Sequence, residues 1–487
     1  MPFDLRRHQS TGRFQYMPTS LFPCAARRQA FLLLALVCGG ASAAAPERGW
    51  GTPERPFAAT SPWNARPDRP VFGTYVIPES RFFPGIGAGP FSTGVFVARP
   101  GDPAVEISGP GGKGGVAEPD TESARVVTIP HWPADVAAAT GSDGHADIVD
   151  PESGVIHSFW QLKQKDGRWS ATLYSWSPLA GRGWGDPSHY YQGARATAVP
   201  TSAGLIRKHE IDDGAPVYRH ALAMSLTYNA LAREPAYIFP ATAADNNAAT
   251  TNSGQIPQGA LLMLPPSFDS ARIANPALRK VAETLKLYGA YVVDRNDGTP
   301  FFIYVEAGGK LPMGTKAWDP EIAAELQRIR AGLRQVVSAA GWIDGDGKPF
   351  TPATRLSFLS MEGNWRGPDQ GGHYDPKTDA IAFPANAQGA RLSKLGLLNM
   401  RRIHWAAPKP GDACELSVQA GGGALLRLVV RSRDYSVVLF DSGELGNGAS
   451  KRFVCPTGTV RTEMQVSGAA APSWARAELH PVPDTSR

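Results

Sequence analysis

The chain has 487 residues, 42% hydrophobic and 19% charged, with 52 Gly, 43 Pro, 4 Cys and a formal charge of +5. Arg6, Arg7, Arg13, Arg27 and Arg28, set against Asp4, place most of that surplus in the first 43 residues, so the remainder is close to neutral. A nucleic-acid partner therefore loses its electrostatic support, because phosphate binding needs clustered Lys and Arg.

The chain opens on an export signature. Arg27 and Arg28 precede the apolar run Ala30 to Ala43, and Ala41-Ser42-Ala43 ends it. A basic region, a short apolar region and a small-residue exit predict a signal peptide over residues 1–44 and a secreted or periplasmic protein. The run is shorter than the roughly 20 apolar residues a spanning helix needs, and no transmembrane segment is expected. Beyond it only Cys414 and Cys455 remain. In an oxidising compartment this pair is expected to form a disulfide.

Abundant Gly and Pro argue for many short strands joined by turns. The expected fold is mainly β: a large antiparallel, sandwich-like core with two helices over residues 45–345, a loop-rich connector over 346–394, and a C-terminal β-sandwich over 395–487. In chain order, Val71 to Ile77 and Gly94 to Ala98 read as strands. His145 to Asp150, Val155 to Lys163 and Trp169 to Trp176 read as an antiparallel meander. Val217 to Leu226, Ala236 to Pro240 and Leu261 to Leu264 follow as strands. Asn275 caps a helix whose stripe is Leu278, Val281, Leu285 and Tyr288, closed by Gly289. Ala290 to Asp294, the Asn296-Asp297-Gly298 turn and Phe301 to Glu306 then read as a hairpin. Asp319-Pro320-Glu321 starts a second helix with Ile322, Leu326, Ile329, Leu333 and Val336 on its buried face. Ala424 to Arg431, Tyr435 to Asp441, Val460 to Val466 and Arg476 to Leu479 are the sandwich strands.

G-x-S-x-G, H-E-x-x-H, C-x-x-C-H and Walker patterns are all missing from the sequence, so chemistry must come from residues distant in sequence. Three constellations offer it. Asp143, His145 and Asp147 alternate along a strand that ends at Asp150, so the first three share a face. A His between carboxylates has a raised pKa and suits acid–base work. The same trio offers metal ligands, and a solvated strand face is the simpler alternative. Asp344-Gly345-Asp346-Gly347 resembles the start of a calcium loop but lacks the Glu that closes one, so it reads as a turn; no metal or other cofactor is expected.

The second constellation joins Arg207 and Glu210 to His220, with Glu210 expected as a carboxyl held protonated by an aromatic pocket. The third is aromatic. Trp160, Trp169, Trp176, Trp184, Tyr190 and Tyr191 crowd one stretch, with Trp160 and Trp169 expected in the core and Trp184 and Tyr190 exposed on a Gly-rich loop. Such rings suit the C–H face of a sugar. The expected function is a secreted carbohydrate-active enzyme that cleaves a polysaccharide. Hydrolysis would use Glu210 with Asp143 or Asp150. A uronate lyase would use His145 or His220, with Tyr288 or Tyr218 and Arg207. The alternative is a non-catalytic carbohydrate-binding or cell-surface protein.

Overall fold

The strand-and-turn reading carries through to a mainly β protein in the computed structural model, which describes residues 49–313, 319–353, 356–369, 372–375, 377–395, 403, 405–406, 411–456 and 460–482. The expected export leader lies outside the described residues. Among those described, no helix is long and apolar enough to cross a membrane.

The meander forms with its third strand at Leu173–Pro178 instead of Trp169 to Trp176. Ala146–Asp150, Val155–Trp160 and Leu173–Pro178 are antiparallel neighbours. Every residue of Ala146–Asp150 is buried, because one face meets the apolar cluster of Ile148, Phe159 and Trp132 and the other meets Val149, Ile156 and Trp184. Lys163–Lys165 and Arg168–Ser170 leave this sheet and make a small hairpin in another.

A larger mixed sheet forms the neighbouring layer. Its central strand, Leu222–Thr227, runs parallel to Ala290–Asn296 on one side and antiparallel to Phe301–Tyr304 on the other. The expected hairpin between those two outer strands is therefore corrected: a third strand is inserted between them. The reason is burial. All six residues of Leu222–Thr227 are buried, so its backbone groups need a partner on each edge.

Both helices start where their caps predict. Asn275 accepts from the Leu278 N–H at 3.0 Å, and Pro276–Leu287 buries Leu278, Val281 and Leu285. Each such side chain contributes roughly 1.5–3 kcal/mol by leaving water. Gly289 follows at φ +76°, the left-handed stop expected of it. Asp319 caps Pro320–Gly332 through the Glu321 and Ile322 N–H groups. This helix ends before Val336, against expectation. Arg334–Ile343 is a strand paired with Arg66–Phe72, where β-branched Val336 and Val337 fit a pleated surface better than a helix. The expected strand at Ala236 to Pro240 reduces to one bridge between Tyr237 and Gln258; Pro235 and Pro240 have no N–H to offer a ladder.

Two sheets face each other in the C-terminal part. One holds His373–Asp375, Ala380–Phe383, Ser473–Pro481, Ala413–Gly421 and Ser450–Val454; the other holds Ala390–Leu395, Val460–Ser467, Leu425–Ser432 and Val438–Asp441. Val460–Ser467 alternates buried and half-buried along its length, as a strand with one face in a core must. Leu416, Val418, Leu426, Leu428, Met464, Val466 and Leu479 fill the space between the sheets. Cys414 and Cys455 form the expected disulfide, with Cα atoms 5.7 Å apart.

Candidate active-site clefts

The Asn296-Asp297-Gly298 turn does more than reverse the chain. With the end of strand Ala290–Asn296 it forms one wall of a cleft of about 580 Å³. Pro90, Phe91, Ser142, Asp143, Ser225, Phe302 and Tyr304 line it too. Asp294 is the pivotal group. Arg195 donates to its Oδ2 at 3.1 Å, and the Arg295 N–H donates to its Oδ1 at 2.9 Å. The side chain keeps 15% of its exposure, facing the cleft, while Arg195 keeps 1%. Burial pushes the Asp294 carboxyl up to about 7; Arg195 opposes this, while Asp245 and Asp143 reinforce it. Asp245 is itself raised by burial, with Asp143 adding to the effect, although Gln258 donates to it at 2.7 Å. Arg195 lies 3.9 Å over the Tyr304 ring, and its Nε and Nη2 have no hydrogen-bond partner among the described residues. The result is a carboxyl half-protonated near neutral pH, a second carboxylate on the same cleft, and aromatic side chains beside them.

Asp143 is thus the sequence-predicted residue that reaches this cleft. His145 does not join it as an acid–base group. It is 2% exposed and touches the Phe159 carbonyl at 3.4 Å and Asp143 at 3.9 Å. Burial, aided by the charge of Arg195, pushes its pKa down to about 3. The expected upward shift is corrected: loss of water outweighs the neighbouring carboxylates. Asp147 accepts from Thr201 and Ser202 inside the protein. Asp150 is buried, pairs with His131 at 2.9 Å and anchors the next turn through the Glu152 and Ser153 N–H groups.

Glu210 and His220 do meet, at 3.1 Å. Glu210 also accepts from the Arg207 N–H at 3.0 Å. Burial would raise the Glu210 carboxyl, but the His220 charge and hydrogen bond hold it down to about 2. The expectation of a protonated carboxyl is therefore reversed. Arg207 is tied to Glu306 at 2.9 Å. These residues border a pocket of only about 60 Å³, too small for a sugar ring.

The aromatic expectations divide. Trp184 and Tyr190 are buried, not exposed. Trp184 stacks on Trp63 and donates to the Thr197 carbonyl at 2.9 Å; Tyr190 donates to the Pro119 carbonyl at 3.0 Å. Their polar tips find partners inside, so nothing holds them at the surface. Trp160 and Trp169 are half-buried. Tyr288 is buried near Arg66. Trp176 lines a second cleft, of about 680 Å³, with Tyr174, His157, Arg125, Glu362, Tyr374 and Lys377. There His157 and Tyr174 share a hydrogen bond of 2.8 Å, and burial lowers His157 to about 4. Under the same cleft His189 contacts Asp120 and lies 2.9 Å from Glu362.

Sequence reading missed Arg195, Asp245, Asp294, Tyr304, Asp120, His189 and Glu362. One signal was present. Asp294-Arg295-Asn296-Asp297 is a polar run closing the buried strand that carries Tyr291, Val292 and Val293.

No family model matches the chain, and no curated protein does. Among solved structures, a glycosylation-associated protein complex from Streptococcus agalactiae is similar at a TM-score of 0.19 and 12% identity, over 24% of this chain and 41% of that one. Accessory secretory proteins 1, 2 and 3 of Streptococcus pneumoniae are similar at 0.17 and 12%, over 23% of this chain and 85% of that one. Similarity at this level carries no argument about fold or function.

Proposed function

We propose that the chain is an exported carbohydrate-active enzyme that hydrolyses a polysaccharide in the cleft shared by Asp143 and Asp294. The observation that carries the reading is the Asp294 carboxyl, pushed up to about 7 at the wall of a 580 Å³ cleft that also holds Asp143. Glycoside hydrolysis needs one carboxylic acid that keeps its proton near neutral pH and one carboxylate on the other side of the bond. Asp294 supplies the proton to the leaving glycosidic oxygen as the bond to the anomeric carbon breaks. Water adds to that carbon, and its proton passes to Asp143. Arg195 holds Asp294 in place, while Phe91 and Phe302 offer faces to the sugar C–H groups. The leader at Arg27 to Ala43 supports export.

A lyase reading has its own support. The His157 and Tyr174 pair stands in the second cleft with two cations, Arg125 and Lys377, which matches a base, an acid and a neutraliser of a uronate carboxylate. A non-catalytic binding protein would use the same walls without turnover.

One experiment separates the three. The protein lacking residues 1–44 is incubated with a polysaccharide panel, and both reducing ends and unsaturated products are measured. New reducing ends without unsaturation, lost in Asp294→Asn and Asp143→Asn, are the expected result. Unsaturated products, or retention of a polysaccharide with no cleavage, would overturn it.

A further inference from the structure

We propose that Asp120, His189 and Glu362 form a binding site for a divalent first-row metal ion of the zinc or manganese class. One ligand atom from each, a carboxylate oxygen from the two acids and an imidazole nitrogen, lies within 4.8 Å of the others. All three residues are buried.

Hydrogen bonding sets the roles of the two ring nitrogens. His189 Nε2 lies 2.8 Å from the Trp176 carbonyl, which can only accept, so Nε2 carries the hydrogen. In the neutral ring Nδ1 then presents its lone pair. Nδ1 is the atom toward which both carboxylates converge, Asp120 Oδ2 in close contact and Glu362 Oε1 at 2.9 Å. A positive charge is needed among these three atoms: either a second ring proton on Nδ1 or, in its place, a divalent ion that balances the two negative charges.

The surroundings match those of a metal-binding histidine, whose second nitrogen usually donates to a carbonyl or carboxylate that fixes the ring. The ring is also stacked on Trp176, with centroids 4.0 Å apart. Asp120 is aimed by its other oxygen, which accepts from the Tyr190 and Tyr191 N–H groups at 3.1 and 3.3 Å. Glu362 provides the independent sign of a missing ligand. It is 2% exposed, yet its Oε2 has no hydrogen-bond partner among the described residues. A buried carboxylate oxygen left without a partner is costly, and chelation would satisfy it. Glu362 also lines the 680 Å³ cleft, which gives an ion a route in and leaves room for water as a further ligand.

A donor set of one imidazole and two carboxylates, without sulfur, suits zinc or manganese and disfavours copper(I). The three ligands come from sequence-distant segments. The ion would therefore tie Glu362 to the separate segments that carry Asp120 and His189.

The site is separate from the Asp143 and Asp294 cleft, so the inference stands or falls independently of the hydrolase reading. The test uses the whole chain without residues 1–44, purified untagged, stripped with EDTA and dialysed against Zn²⁺ or Mn²⁺. The expected result is one metal per chain by elemental analysis, a higher Tm on loading, and affinity weakened about 100-fold or more in Glu362→Gln and His189→Ala, as loss of a ligand should exceed the 10–100-fold of an outer-shell change. X-ray absorption of the zinc-loaded unmodified protein keeps the proposal falsifiable should a variant not fold. It is expected to show one imidazole with oxygen ligands at about 2.0–2.2 Å. No bound metal with no Tm change, binding untouched by both variants, or a shell with several imidazoles or any sulfur would each overturn the proposal.

Discussion

Arg195 stands 3.1 Å from Asp294, close enough for a charge-assisted hydrogen bond, yet the Asp294 carboxyl is still pushed up to about 7. A guanidinium at that distance ordinarily lowers a carboxyl. Here burial and the nearby Asp245 and Asp143 outweigh it. The arrangement gives a proton donor that is oriented by a cation without being stripped by it.

Its pH dependence follows. Asp294 carries its proton below about 7 and loses it above, so kcat/KM for polysaccharide cleavage is expected to fall as pH rises through about 7. Asp294→Asn should lower kcat by about 10²–10⁴-fold, the usual weight of a general acid. Removing the opposing cation in Arg195→Met should move the alkaline limb upward. A pH–rate profile of the three proteins checks this, and a limb that stays in place in Arg195→Met would dissociate Asp294 from it.

His145 and His157 make a separate statement about stability. Both are buried, and burial lowers them to about 3 and about 4. The unfolded chain therefore takes up protons that the folded one refuses. Stability is intact above the ordinary histidine range near 6.5 and falls as pH drops toward those lowered values. For His145 the loss is about 2 kcal/mol by pH 5. Urea unfolding at pH 7.5 and pH 5 measures it. His145→Gln is expected to remove that part of the slope.

How much was legible follows from where the signals lie. Asn275 and Asp319 announce their helices because a cap and its helix are neighbours in sequence. Cys414 and Cys455 can be paired from the sequence because no other cysteine follows residue 43. Val336 was misread because β-branched residues at helical spacing look apolar either way, and only the partner strand Arg66–Phe72 decides. Trp184 was misplaced because Trp63, which stacks on it at 5.4 Å, lies far away in sequence. Asp143 belongs to a constellation legible along its strand, while Asp294 reads only as the last residue of the strand Ala290 to Asp294. Asp120, His189 and Glu362 come from three distant segments and carry no local pattern.

Glu210 and His220 allow the expected active pair to be tested as a structural one. Glu210 is held down to about 2, so its share of the stability is present above its ordinary range near 4.5 and is lost as pH falls toward 2. His220 is raised by Glu210 despite burial. Its share is present below about 6.5 and is lost as pH rises through its elevated value. Glu210→Gln leaves a half-buried imidazole without its counter-charge and is expected to cost about 1–3 kcal/mol in the mid-pH range. Cleavage by the fraction that remains folded should keep its kcat/KM. Unfolding curves and activity normalised to folded protein measure both, and a loss of turnover without loss of stability would return this pair to the chemistry.

The disulfide gives the last expectation. Cys414 is the second residue of the strand Ala413–Gly421, Cys455 follows the strand Ser450–Val454, and the two strands pair directly, with Cys414 opposite Phe453. The bridge therefore closes a loop whose strands are already registered by backbone hydrogen bonds. Its main effect is to limit the unfolded chain, about 4 kcal/mol for a separation of 41 residues on the chain-entropy model. Cys414→Ser with Cys455→Ser should lower the unfolding midpoint of the C-terminal sheets by that order while leaving the cleft at Asp294 formed. Unfolding followed by proteolysis, with and without reductant, checks this. Reductant should destabilise the unmodified protein and leave the double variant unchanged.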